Sequence, residues 1–165
     1  MTAAFLIRHL QLTRHPEGGY YRETYRASGI IPGNALPDGF TGDRRFSTCI
    51  YYLLENGDRS VFHRLRSDEC WHFYGGQALL IHVIDAAGRY SCIRLGNDLM
   101  NGENLQFVVP ASTWFASEPA SGSTFSLAGC TVAPGFDFAD FEIASQKDLL
   151  GKFPAHTGVV QRLCR

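Results

Sequence analysis

The sequence lacks several features, and each absence removes a class of function. It has no apolar run able to cross a bilayer: ALLIHVI, residues 78–84, is far shorter than the ~20 residues a spanning helix needs. It has no excess of either charge, with 15 basic residues against 16 acidic. Without a long-range field there is nothing to draw nucleic acid or an anionic membrane, so the expected partner is a small molecule. Cysteine is present but poorly arranged for bonding: Cys49, Cys70, Cys92, Cys130 and Cys164 are odd in number and contain no CxxC pair. This argues against a disulfide framework and a zinc knuckle, and the first four read as small strand hydrophobes. The opening MTAAFLIRHLQL is broken by Arg8 and His9 and has no signal-peptide frame, so the expected location is cytoplasmic. No repeat or low-complexity tract is present.

What is there suffices for one domain over residues 1–165, with 45% hydrophobic content for its core. Residues 3–12, AAFLIRHLQL, space their apolar positions as a short helix does. From GYYRETYRA onward the period changes to that of strands. FSTCIYYLL, SVFHRL, ECWHFY, QALLIHVID, YSCIRL, LQFVVP, STFSLAGCTV and FADFEIA are short β-type runs, separated by turn compositions such as NGD, AAG and EPASG. Many short strands behind one helix predict an all-β sandwich or jelly-roll barrel. HPEGG reads as a turn, and the Gly- and Pro-rich residues 28–45 read as a lid or as cover for a sheet edge. Ser145 and Asp148 have capping-box spacing, so a short helical tail is expected from SQKDLLGKF to about Pro154.

The chemistry concentrates in GDRSVFHRLRSDECWHFYGG, residues 57–76. Alternation puts Val61, His63 and Leu65 on one strand face and Glu69, Trp71 and Phe73 on one face of the next. In a hairpin His63 would meet Glu69 inside the barrel, with His72 on the other side. A histidine beside a carboxyl in an apolar cavity can be an acid–base pair, two ligands of a metal, or a structural hydrogen bond, and spacing alone leaves all three open. Trp71 and Trp114 are expected in the core, where their indole N–H groups need acceptors.

This segment resembles the first motif of the cupin superfamily: Gly57, His63, Glu69 and Gly76 match, and Leu65 stands where a second histidine belongs. VVPASTWFASEP resembles the second motif, with Pro110 matching and Phe115 in place of its histidine. Along nearly its full length, through HPEGGYYRETYR, STCIYYLL, FHRLRSDECWHFYGG, QFVVPASTWFA and SLAGCTVAPGFDFADFEIA, the chain is similar to a single-domain, cupin-5-like branch of unknown function. The resemblance implies a cupin-type jelly-roll β-barrel, a homodimer, and a pocket in the barrel mouth. Metal-binding cupins use three histidines and a glutamate, of which only His63 and Glu69 remain here, so no cofactor is expected. Any metal would have to use His63, Glu69 and His72. Similarity to metal-free cupin sugar epimerases implies His63 as base, Glu69 as its orienting partner, and Tyr51 or Tyr74 as acid. For a sugar nucleotide, Arg22, Arg26, Arg59, Arg64 and Arg66 are the candidate phosphate partners. The alternative is a binding module without turnover, its pocket lined by Trp71, His72, Gln106, Trp114 and Phe115. A weaker reading places FDFADF, residues 136–141, at a partner interface.

Overall fold

The computed structural model describes residues 1–165. The helix α1 (Ala3–His9) is capped by Thr2, whose hydroxyl accepts from the Phe5 amide, and it is followed by the strands β1 (Thr13–Arg14) and β2 (Tyr20–Arg26). A small pair, β3 (Ile30–Ile31) and β4 (Arg44–Arg45), lies within the Gly/Pro-rich segment. The barrel strands are β5 (Thr48–Glu55), β6 (Ser60–Leu65), β7 (Asp68–Gly76), β8 (Leu79–Ile84), β9 (Tyr90–Leu95), β10 (Gln106–Val109), β11 (Trp114–Pro119), β12 (Phe125–Ala133) and β13 (Phe141–Ile143). Two helices, α2 (Gln146–Lys152) and α3 (Thr157–Leu163), close the chain.

The strands form two facing sheets, one of order β1-β2-β5-β12-β7-β10 and one of order β13-β6-β11-β8-β9. All the barrel pairings within them are antiparallel, as a jelly roll requires. β6 and β7 belong to different sheets, so the expected hairpin is not formed. The chain instead crosses between sheets at Arg66 and Ser67. Both inward faces keep the residues that alternation assigned to them, and His63 and Glu69 approach the same interior from opposite walls.

Three clusters fill the molecule. Tyr52, Leu54, Trp71, Leu79, Ile81 and Phe115 are among the residues packed between the sheets. Phe62, Ile84, Trp114 and Ala116, on the outer face of the five-stranded sheet, are covered by α2 and α3 through Leu149, Phe153, Val160 and Leu163. α1 lays Leu6 against Leu53 and Phe125. Burying side chains such as these stabilises by about 1.5–3 kcal/mol each. The Ser145 hydroxyl accepts from the Asp148 amide as the capping box predicted, but the tail continues past Pro154 into a second helix whose apolar stripe seals the sheet. No helix is long and apolar enough to cross a membrane.

Candidate functional site

One end of the barrel is filled by the central cluster; at the other a cavity of about 400 Å³ remains between the sheets. Its floor is built by four titratable side chains, two of them supplied by HPEGG. After β1 the chain turns, and the Glu17 carbonyl accepts from the Val61 amide, tying the turn to β6 across the gap between sheets. Gly18 and Gly19 both have positive φ, and a side chain on either would collide with the Arg59 carbonyl or with Leu54. The glycine pair is therefore what lets the turn reach the interior. It carries Glu17 inside, only 5% exposed, and Tyr52 secures it by donating to the Gly18 carbonyl at 2.7 Å.

His63 Nδ1 lies 2.8 Å from the Val61 carbonyl. A carbonyl only accepts, so this nitrogen carries a proton. Nε2 faces Glu17 Oε2 at 3.2 Å. The other Glu17 oxygen accepts from Ser60 Oγ at 2.9 Å. His15 Nδ1 accepts from the Glu17 amide at 3.3 Å, which leaves the ring proton on Nε2. Burial lowers the pKa of His15, partly opposed by Glu17, so its ring is neutral near pH 7.

Glu69 enters from the other sheet and is 8% exposed. Its Oε2 accepts from Trp71 Nε1 at 3.1 Å, which answers the indole's need for an acceptor. Burial first, and the Glu17 carboxylate second, push the Glu69 carboxyl up to about 8, so it holds its proton at neutral pH. Burial also raises the neighbouring Cys130 thiol, with Glu69 adding to the effect. The floor thus pairs a protonated carboxyl with a second carboxyl coupled to an imidazole.

The mouth is formed by the end of β2 and by residues 136–141. Phe136, Phe138 and Phe141 pack edge to face with centroids 5.0–6.1 Å apart and line the opening with Asp137. Below them, Arg44 holds Asp140 through two bonds of 2.5 and 2.7 Å, and both side chains are buried. Residues 28–45 thus act as an anchor for the aromatic lip; none of them lines the cavity. FDFADF forms that lip.

The other expected site residues separate by strand face. Trp71 lines the cavity. Phe115 lies against His63, ring centroids 4.0 Å apart, as part of the packed core. Tyr51 and Tyr74 point out of the six-stranded sheet and meet each other edge to face at 5.9 Å. The alternation of β5 turns Tyr52 inward instead. His72 and Gln106 share that outer face, 3.3 Å apart, with His72 also bonded to Thr131. Trp114 faces the C-terminal helices beneath Arg64. The His63–Glu69 contact is replaced by His63–Glu17, because the two side chains stand on opposite sheets. The structure adds His15 and Glu17, which HPEGG places in a turn and for which nothing local in the sequence signals a position between the sheets. Of the five candidate phosphate-binding arginines, only Arg26 lines the cavity.

The donor set does not fit the metal of three-histidine, one-glutamate cupins. Leu65 and Phe115 occupy two of those positions, His63 Nε2 is engaged by Glu17, and His72 lies on the opposite face. No three His, Cys, Asp or Glu side chains come together in an arrangement suited to a metal ion.

Comparison with known proteins agrees with this architecture. The family model described as Cupin_5, cupin superfamily (DUF985), matches residues 4–144. The chain is 32% identical over 157 residues to the uncharacterized protein YML079W of Saccharomyces cerevisiae, covering 88% of this chain and 76% of that one. A hypothetical protein from Leishmania major superposes with a TM-score of 0.90 at 36% identity, covering 99% of both chains. Protein SO0799 from Shewanella oneidensis does so with a TM-score of 0.88 at 42% identity, covering 100% of this chain and 98% of that one. Oxalate decarboxylase from Bacillus subtilis shares the fold at 13% identity, with a TM-score of 0.55 over 91% of this chain and 36% of its own.

Proposed function

Because the chain belongs to the Cupin_5 (DUF985) family of the cupin superfamily, and its barrel holds two buried carboxyls in different protonation environments, we propose that it catalyses proton transfer on a small organic molecule without a metal. The reaction type is that of an isomerase or epimerase. The observation that carries this reading is the pairing on the cavity floor: Glu17 stands 3.2 Å from His63 Nε2, while Glu69, held by Trp71 and desolvated, keeps its proton. Two carboxyls whose environments differ in this way supply a base and an acid at one pH.

In the reaction, the Glu17–His63 pair accepts the proton on a carbon next to a carbonyl, and Glu69 donates its proton to the carbonyl oxygen. The resulting enediol collapses in one of two balanced ways: Glu69 takes that proton back while the Glu17–His63 pair reprotonates the original carbon on the face then presented to it, or Glu69 takes the proton of the neighbouring hydroxyl while the pair protonates the former carbonyl carbon. Ser60 and the Val61 carbonyl fix the geometry of the base, so no reorganisation is needed during the step. The cavity volume suits a single small molecule.

The test is solvent exchange. The protein is incubated in deuterium oxide with a panel of aldoses, ketoses and other small carbonyl compounds, and deuterium on carbon is read by mass spectrometry. The expected result is uptake into the cognate compound, reduced about 100-fold or more in His63→Gln and Glu69→Gln. If compounds that raise the melting temperature take up no deuterium, the cavity is a binding site without turnover.

A further inference from the structure

The cavity carries no cation free to hold an anion. Arg26 is its only arginine or lysine, and Glu23 engages that guanidinium at both Nε and Nη2, at 2.9 and 2.6 Å. Its Nη1 donates to the Phe136 carbonyl at 3.3 Å. Beside Arg26 stands Asp137, one of whose oxygens accepts from the Ala139 amide at 2.8 Å. Glu17 and Glu69 lie on the floor. Between lip and floor the walls are rings: Tyr21, Tyr52, Trp71, Phe136, Phe138 and Phe141. Aromatic faces are electronegative and attract cations, most strongly where water is excluded. A phosphate or carboxylate entering this space would meet carboxyls and ring faces, with its one candidate partner already engaged.

We infer that the ligand of this cavity carries an organic ammonium group, as a protonated or quaternary amine, and that the site excludes phosphorylated and carboxylate ligands. The inference rests on reading the cavity as a substrate pocket. Within that reading it replaces a sugar-nucleotide substrate with a cationic one, the ammonium acting as the handle by which the molecule is held. The rim sets this choice through Glu23: its two bonds to Arg26 occupy the one group that would reverse the preference, and the nearby Asp137 adds to that hold.

The test uses the full chain and three probes of matched shape: choline, its isostere with carbon in place of nitrogen, and the corresponding carboxylate. Binding is measured by calorimetry and by shift of melting temperature at neutral pH. Choline is expected to bind about tenfold or more tightly than the uncharged isostere, and the carboxylate not at all. Glu23→Gln, at an exposed position that does not threaten folding, releases Arg26. Choline should then weaken and the carboxylate gain, closing or inverting the order. Equal binding of choline and its isostere, tighter binding of the carboxylate, or binding of none of the three overturns the inference. Deuterium exchange separates this outcome from the fate of the acid–base reading. If exchange is present but choline is not selected, that reading stands and the cation site falls; choline selected without exchange leaves the reverse.

Discussion

At the scale of the residue, Glu69 has the most distinctive thermodynamics. Its carboxyl is raised from 4.5 to about 8 by burial and by Glu17, so the folded chain keeps a proton that the unfolded chain has lost. The folded state therefore binds more protons between these two values, and stability falls as pH rises through that window. Below about pH 4.5 both states are protonated and the penalty is absent; above about pH 8 both are ionised and it is fully expressed. Glu69→Gln retains an acceptor for Trp71 but has nothing to ionise. Its stability relative to the parent is expected to increase steadily from pH 4.5 to 8 and then level off, by on the order of 5 kcal/mol in total. Urea denaturation at a series of pH values measures this directly. A difference that does not vary with pH would mean that Glu69 is an ordinary ionised carboxylate.

At the scale of the element, the aromatic lip depends on a bond outside itself. Arg44 and Asp140 are each 4% exposed, and the next nearest cation, Arg66, is 3.8 Å away and half exposed. Removing one partner of a buried pair leaves an uncompensated charge and costs about 3–5 kcal/mol, whereas replacing both with apolar groups of similar size is often near neutral. Arg44→Met is accordingly expected to lose roughly that amount and to speed amide hydrogen exchange over residues 136–141. Combining it with Asp140→Leu should restore most of the stability. Hydrogen exchange followed by mass spectrometry reads both effects, and an unchanged lip in the single variant would contradict the anchoring role of residues 28–45.

At the scale of the whole molecule, the barrel should be indifferent to divalent metals. A site filled at one hundred times its Kd would add about 2.7 kcal/mol of stability. Because Leu65 and Phe115 stand at two cupin ligand positions and Glu17 engages His63, neither chelator nor added zinc, manganese, iron or nickel is expected to move the melting temperature. A saturable, stoichiometric shift with any of these ions would overturn the metal-free reading.

How much of this was legible in the sequence follows from the range of the interactions involved. Alternation acts between neighbours, so it correctly turned His63, Glu69 and Trp71 inward and His72 outward. It also held the information that Tyr52, and not Tyr51, faces the interior. Pairing between strands is long-range, and the sheet switch at Arg66 and Ser67 could not be read from a run that looks like a hairpin. Glu17 was illegible for a related reason: nothing local distinguishes a glycine turn at the surface from one driven between two sheets, since the obstacles that make both glycines necessary, the Arg59 carbonyl and Leu54, come from elsewhere in the chain.

The register of β2 shifts between Glu23 and Tyr25, so that Arg26, opposite Thr48, faces the opening. Beyond the two-residue β1 this half of β2 has no outer neighbour, and insertions or deletions there would disturb little else. Loss of Thr24 alone would only remove the bulge, but loss of Thr24 and Tyr25 together would set Arg26 opposite Cys49, turn it out of the opening and bring Ala27 opposite Thr48, with the floor untouched. Strand length at this one margin can thus change what the opening presents while the interior of the barrel stays as it is.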